Sequence, residues 1–239
     1  MTSTNNSAWD QLTSQCTFQF PDLENIEPEI GDLIAIGADL EPETLLYAYS
    51  HGYFPMHLNE ENEDEKTIGW FSPKSRAKFT PDSIKVTRSM KQSYKKYECR
   101  IDTCFKEMME MCKNIPRPLG WIDDEFIEKY LRLHELGFAH SVEVFQDEEL
   151  VGGLYGVGFA SFFAGESMVH KKRDASKVAL MRLMEITKKI GVTLIDAQWM
   201  TDHLQTLGAK DIPRSQYLVL LEQSLAQPQV TWPTPGKLV

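Results

Sequence analysis

Along this chain, stretches whose apolar residues recur every three or four positions alternate with stretches where they recur every second one. The first pattern predicts helices in "DTCFKEMMEMCKN" (102–114), in "DDEFIEKYLRLHELG" (123–137), stopped by Gly137, and in "DASKVALMRLMEITKKIG" (174–191). In the last of these, Asp174 is expected as N-cap, Lys188 and Lys189 lie in the final turn, and Gly191 follows. Upstream, "IGDLIAIGADLEPETLLYAYSHGYFP" reads as a short apolar segment, a turn and a helix over 42–50 ended by Gly52 and Pro55. The second pattern makes "AHSVEVFQ" a strand, "DEE" a turn and "LVGGLYGVGFASFFAG" (150–165) one returning, glycine-broken strand, after which "AGESM" is a small-residue turn carrying an acid. "VTLIDAQ" comes next as a short buried strand, "TDHLQTLG" as a short helix, and "PRSQYLVLLEQSL" as a helix with Pro213 near its start.

The order β-β-α-β-α in the second half predicts an α+β fold, a sheet layered with helices. The acidic run "NEENEDE" (59–65) and "WFSPKSR", punctuated by Pro73, mark a boundary. This gives a small N-terminal domain over residues 1–75, its first dozen residues disordered, and a larger domain over 76–239. At 239 residues, 42% apolar and 25% charged, the chain has the make-up of a globular protein with a sizeable core. No window reaches the roughly 18 to 20 apolar residues of a membrane helix. The start "MTSTNNSAWDQLTSQ" lacks the basic and apolar regions of a secretory signal, so a cytoplasmic location without a membrane partner is expected. Cys16, Cys99, Cys104 and Cys112 include no CxxC pair and the histidines no HExxH spacing, so neither a metal site nor a disulfide framework is expected.

A net charge of −10 excludes indiscriminate nucleic-acid binding through bulk charge. The charge is unevenly spread, however. In "KVTRSMKQSYKKYECR" (85–100), Lys85, Arg88, Lys91, Lys95, Lys96 and Arg100 face only Glu98. Spacings of three and four align Arg88, Lys91 and Lys95 on one helical face, which is either a solvated surface or a site for a polyanion.

The hairpin, long helix and strand are similar in order to an acetyltransferase-type fold. Acetyl-CoA binding would require a glycine-rich turn at the start of the long helix, where backbone N–H groups meet the pyrophosphate. The turn here, "HKKRDASK", has no glycine, and Asp174 stands where phosphate would sit. Asp196 follows an apolar run and Gln198, two residues on, shares its face. Such a carboxylate and amide can orient a nucleophile and relay a proton, or Asp196 can simply end the strand. Glu166 either pairs with Lys171, Lys172 or Arg173 or, if partly buried, receives a substrate cation.

The motifs "GGLYGVGFASFFAGESM", "DASKVAL", "LIDAQ", "HLQTLGA" and "IPRSQYL", in that order, closely resemble the leucyl/phenylalanyl-tRNA–protein transferases. So do "GDLIAIGADLEPETLLYAYSHGYFP", "WFSPKSRAKF" and "GWIDDEFIEKYLRLHELGFAHSVEV", and the resemblance covers roughly residues 30–222. It implies a cytoplasmic aminoacyltransferase that moves leucine or phenylalanine, with methionine as a further donor, from tRNA to the N-terminal Arg or Lys of a protein. The new peptide bond marks that protein for degradation. The resemblance also implies a GNAT-type second domain and no cofactor or metal. The partners it implies are leucyl- and phenylalanyl-tRNA and acceptor proteins with N-terminal Arg or Lys.

Residue by residue, the resemblance implies that Asp196 orients or deprotonates the attacking amine, Gln198 assists the proton relay, and Glu166 holds an ammonium such as the donor's own. The walls of a Leu/Phe pocket would be Leu154, Phe163, Ser167, Met168, Leu180, Leu183 and Ile195, although ordinary core packing explains the apolar ones equally well. Trp121 would stack on the terminal adenosine. Met56 stands where many members carry a second tryptophan, and it grips a base less tightly. Arg88, Lys91, Lys95 and Lys96 fall in the family's cationic cluster, facing the acceptor-stem phosphates. Two other classes stand beside this one: a non-catalytic tRNA-binding or degradation-adaptor relative, and a small-molecule N-acetyltransferase.

Overall fold

The computed structural model describes residues 7–26, 31–58, 67–115 and 122–238. The acidic run at 59–65 and Trp121 lie outside the described residues. The N-terminal region supplies α1 (Ala8–Thr13), β1 (Leu33–Ile36), α2 (Pro42–Ser50), β2 (Phe54–Leu58) and β3 (Thr67–Phe71). Then come β4 (Ser75–Phe79), α3 (Arg88–Tyr94), β5 (Glu98–Ile101), α4 (Phe105–Lys113) and α5 (Asp124–Glu135). A meander of β6 (Ala139–Gln146), β7 (Glu149–Phe159) and β8 (Phe162–His170) leads into α6 (Ala175–Ile190) and β9 (Leu194–Gln198). The chain closes with α7 (Asp202–Leu207), β10 (Lys210–Pro213), α8 (Arg214–Leu225) and β11 (Gly236–Lys237). Residues 8–12, expected to be disordered, belong to α1, where Trp9 packs on Phe159 with ring centres 5.2 Å apart. No helix among the described residues is long and apolar enough to cross a membrane.

The fold is mixed α+β. One sheet has the order β1-β3-β2, and the other runs β10-β4-β9-β8-β7-β6-β5-β11. In the large sheet every neighbouring pair is antiparallel except β8 and β9, whose parallel pairing requires a crossover that α6 provides. Successive residues point to opposite faces, so Leu154, Phe163 and Ile195 pack under α6 while Tyr155, Phe162 and Leu194 join the opposite core. That second core runs through the expected boundary at residue 75, combining Leu45, Tyr49, Phe54 and Trp70 with Tyr130, Tyr155 and Tyr217.

Two expectations require correction. The stretch 150–165 is not one strand, because Ala160 takes a left-handed turn (φ 47°) that splits it into β7 and β8. Its glycines serve close approach instead: a Cβ on Gly153 would overlap the Met108 sulfur and the Val142 carbonyl oxygen, and one on Gly156 the Ala164 carbonyl oxygen and the Phe163 ring. "AGESM" is accordingly strand interior. Asp174 does occupy the N-cap position of α6, but it is left-handed (φ 61°) and its side chain caps nothing. Its carboxylate instead accepts from Ser89 Oγ (2.6 Å), Ser93 Oγ (3.2 Å) and Lys177 Nζ (2.9 Å), tying α3 to α6. The Ser89 hydrogen bond, reinforced by Lys177 and opposed by partial burial, holds this carboxyl down at about 2.

Bulges interrupt two strands of the large sheet. Tyr155 faces Ser167 and Gly156 faces Gly165, leaving Glu166 as the extra residue of β8. Likewise Lys78 faces Asp196 and Ala77 faces Gln198, leaving Ala197 extra on β9. A bulge bends its strand and re-aims side chains. Substituting Gly156 by Ala is expected to destabilise the protein by about 2 kcal/mol or more through overpacking. Gly165→Ala, whose Cβ meets only the Asp196 carbonyl oxygen at 3.5 Å, is expected to shift stability by less than about 1 kcal/mol. Urea denaturation midpoints of the two variants check this difference.

Candidate active site

The pairing of β8 with β9 ends at Ala164 and Asp196. A cavity of about 310 Å³ opens there, lined by Phe79, Leu154, Met168, Leu180, Leu183 and Ile195 on its apolar side. Glu166, Ser167, Asp196, Gln198 and Trp199 are also in its wall. Nine of the residues singled out in the sequence therefore converge: Leu154, Glu166, Ser167, Met168, Leu180, Leu183, Ile195, Asp196 and Gln198. Phe163 does not line the cavity; it is fully buried beneath, with Trp232 5.3 Å away, centre to centre. Met56 is half-buried on β2, likewise outside the lining.

Asp196 is completely buried and faces a residue that sequence reasoning did not single out. Arg76, on β4, donates from Nε to Asp196 Oδ1 at 2.8 Å and from Nη2 to Oδ2 at 2.5 Å. The two side chains are 1% and 0% exposed. The guanidinium lies between the rings of Phe54 and Tyr217, 4.6 and 4.5 Å from their centres, and donates to the Gly52 carbonyl oxygen at 3.1 Å. Burial alone would weaken its charge, but Asp196 and Tyr217 outweigh that and hold its pKa above the ordinary arginine value. Tyr217 Oη donates to Asp196 Oδ2 (2.9 Å) and the Gln198 backbone N–H to Oδ1 (2.8 Å). Four donors thus occupy the roughly four acceptor sites of this carboxylate, leaving no lone pair for an incoming amine.

The bond from the Gln198 N–H has a further effect. Gln198 adopts φ 61°, a left-handed conformation costing about 1–3 kcal/mol for a residue with a side chain. Held there, it points Nε2 at Glu166 Oε1, 2.8 Å away. Glu166 also accepts from Tyr130 Oη at 3.4 Å, and Tyr130 shares a 2.5 Å hydrogen bond with Tyr49. Arg76, Asp196, Gln198, Glu166, Tyr130 and Tyr49 form one connected polar chain across β4, β9, β8, α5 and α2.

Glu166 is 7% exposed and has no cation bonded to it among the described residues. Burial pushes its carboxyl up to about 8, with the Asp196 charge adding to the rise and hydrogen bonds from Tyr49 and Tyr130 opposing it. Of the two alternatives for Glu166, pairing with Lys171, Lys172 or Arg173 does not occur: the lysines are exposed, and Arg173 lies 3.8 Å from Asp174. Trp199, also missed in the sequence, donates from Nε1 to Asp32 (2.8 Å) and packs edge-on against Phe54 and Phe71, joining the cavity to the small sheet.

Arg88, Lys91, Lys95 and Lys96 are exposed, and none makes an ion pair among the described residues. Because Ser89, Met90 and Ser93 turn inward, the opposite face of α3 is left cationic. Tyr97 Oη donates to the Arg173 carbonyl oxygen at 2.8 Å, holding the basic loop 171–173 alongside.

The polar chain sets clear expectations for stability. Tyr217→Phe should cost about 1.5–3 kcal/mol, as a hydrogen bond to a charged group does. Asp196→Ala should cost about 3–5 kcal/mol, because it leaves Arg76 buried without its partner. Gln198→Ala should cost about 0.5–1.5 kcal/mol, the worth of its side-chain hydrogen bond to Glu166, because alanine keeps the Cβ and with it the left-handed backbone strain. Urea titrations measure all three, and an Asp196→Ala loss no larger than that of Gln198→Ala would show that the ion pair does not hold the site.

Residues 79–222 match the family model described as leucyl/phenylalanyl-tRNA protein transferase, and residues 38–74 match that of its N-terminal domain. The leucyl/phenylalanyl-tRNA–protein transferase of Herpetosiphon aurantiacus is 46% identical over 189 residues, covering 78% of this chain and 95% of its own length. Those of Dechloromonas aromatica and Idiomarina loihiensis are each 39% identical, covering 90% and 93% of this chain and 93% and 97% of their own. The solved structure of L-PGS from Bacillus licheniformis aligns at a TM-score of 0.36 and 13% identity over 71% of this chain and 57% of that one, too weak a likeness to assign a fold. On the family models and these relatives together, the chain belongs to the leucyl/phenylalanyl-tRNA protein transferase family.

Proposed function

We propose that this chain transfers leucine or phenylalanine from aminoacyl-tRNA to the N-terminal Arg or Lys of acceptor proteins, in the cytoplasm. The observation that carries this reading is an apolar cavity ending in a carboxylate to which no cation is directly bonded among the described residues. Leucine and phenylalanine side chains suit the walls formed by Leu154, Met168, Leu180, Leu183 and Ile195, with the α-ammonium at Glu166. Methionine fits the same space, whereas β-branched isoleucine and valine fit it worse. The division into a small domain over 1–75 and an acetyltransferase-like domain over 76–239 is supported by the separate family matches and by the order hairpin, long helix, parallel strand.

The donor ester is already activated, so catalysis consists chiefly of positioning the acceptor amine and managing its proton. The amine nitrogen attacks the ester carbonyl, the new C–N bond forms, the ester C–O bond breaks, and the amine's proton ends on the departing 3′ oxygen. Gln198 is placed to hydrogen-bond the reacting groups. With its acceptor sites filled, Asp196 is a positioning residue that holds Gln198 and supplies negative potential. Trp121 and Met56 are assigned to the terminal adenosine, and Arg88, Lys91, Lys95 and Lys96 to acceptor-stem phosphates. An acetyl-CoA reading lacks support, because Asp174 and its serine partners occupy the entrance to α6.

Transfer of labelled leucine from charged tRNA onto peptides beginning with Arg, Lys or Ala tests the reading. Product on the first two alone is expected; tRNA binding without any product would favour the non-catalytic adaptor. Glu166 adds a pH signature. A neighbouring ammonium favours its charged form, so donor binding measured without acceptor should tighten from about pH 6.5 to about pH 8, while Glu166→Gln shows no such rise. The stability signature has the opposite sign. Because the folded-state pKa is raised from 4.5 to about 8, the contribution of Glu166 to stability is full below 4.5 and is lost as pH rises through 8. Glu166→Gln should therefore gain stability relative to the parent as pH rises, a trend that urea midpoints across that range will show.

A further inference from the structure

A second cluster of ionisable groups lies outside the cavity lining. His57 follows Met56 on β2, Asp123 is the N-cap of α5, and Glu125 lies in its first turn. One ligand atom from each of the three lies within 4.8 Å of the other two. The His57 side chain is only 5% exposed and meets the Phe126 ring edge-on, centres 4.8 Å apart. Among the described residues neither ring nitrogen makes a hydrogen bond, although Nε2 approaches Asp123 Oδ2 to 3.0 Å. That carboxylate therefore sits beside the imidazole without lying along its hydrogen-bonding direction.

Buried imidazole nitrogens with no hydrogen bond are uncommon, and a bound ion is one of the few arrangements that satisfies them. The carboxylate is preorganised as a ligand would be. Asp123 Oδ1 accepts the Phe126 backbone N–H at 3.0 Å, which orients Oδ2 towards His57. The direct ion pairs of the nearby lysines are with other acids, Lys113 with Asp124 (2.5 Å) and Lys129 with Glu41 (2.7 Å), although Lys129 also feels the Glu125 charge.

The geometry points to a divalent transition-metal site in which His57, Asp123 and Glu125 are the protein ligands. Nitrogen and oxygen ligands about 2.1 Å from one ion lie about 3 to 4.2 Å from each other; His57 and Asp123 fall in that range at 3.0 Å, and the exposed Glu125 side chain, within 4.8 Å of both, reaches it by a small rotation. One imidazole with two carboxylates suits Zn²⁺ or Mn²⁺, and water completes the coordination. Ligand-spacing motifs miss such a site because its donors come from a strand and a distant helix. Resting on the transferase reading, the ion braces Met56 on β2 against the segment that begins α5, the two regions assigned to the donor's adenosine.

The test uses chelator-treated full-length protein, titrated calorimetrically with ZnCl₂ and separately with MnCl₂ in the absence of tRNA. One ion per chain is expected for the parent, with affinity weakened at least about tenfold in Glu125→Gln and in Asp123→Asn. The first variant is at an exposed position and the second retains an N-cap side chain, so both should stay folded, as circular dichroism will check. X-ray absorption of the zinc form should show nitrogen and oxygen neighbours only. No binding, binding unaltered in both variants, or sulfur in the coordination shell would each overturn the site. These readouts require neither tRNA nor acceptor, so they hold whatever the fate of the transferase reading. The bracing role is tested separately: added metal should tighten donor binding in the parent but not in Glu125→Gln, and equal responses would overturn it.

Discussion

The site depends on the buried ion pair between Arg76 and Asp196. Two charges withdrawn from water cost several kcal/mol each unless geometry and further hydrogen bonds compensate them. Here the guanidinium has two aromatic faces, a backbone carbonyl and a bidentate carboxylate, and the carboxylate has four donors. The contacts reach Gly52 and Phe54 of the N-terminal region, β4, β9 and Tyr217 of α8, so the pair fastens the N-terminal region to the large sheet. Replacing one partner would loosen several elements at once. The same pair fixes Gln198 in a conformation its backbone would otherwise avoid.

Two carboxylates on neighbouring strands of the sheet have different environments. Asp196 is fully compensated by donors. Glu166 receives hydrogen bonds from neutral groups only, and burial raises its pKa to about 8. A cation arriving there gains a strong partner in a low-dielectric setting. The bulges at Glu166 and Ala197 make this possible, because without them regular alternation would send one of the two polar groups to the wrong face.

Local signals made much of the scaffold legible. Helix α2 has the expected limits because Pro42 opens it and Gly52 follows it, and α5 and α6 are succeeded by Gly137 and Gly191 at φ 80° and 93°. Leu154 and Ile195, named through the resemblance, do lie in the cavity wall. Arg76 escaped notice because nothing nearby distinguishes it from any surface arginine; its partner is 120 positions away. Tyr49 and Tyr130 look like ordinary aromatics on apolar helix faces, and only the fold brings their hydroxyls together. The resemblance implied that Phe163 lines the pocket, but it is buried beneath, against Trp232, remote in sequence. The turn at Ala160 was hidden because a non-glycine residue makes it, while the glycines nearby serve packing.

The central claim is that Asp196 positions the reacting groups rather than taking a proton. Single-turnover transfer rates of the parent and of Asp196→Asn, measured across pH with saturating donor and acceptor, test it directly. A positioning role predicts two curves of the same shape, with the variant lower throughout. If a pH-dependent limb of the parent disappears in the variant and only a low, pH-independent rate remains, Asp196 acts as the base and the claim is contradicted.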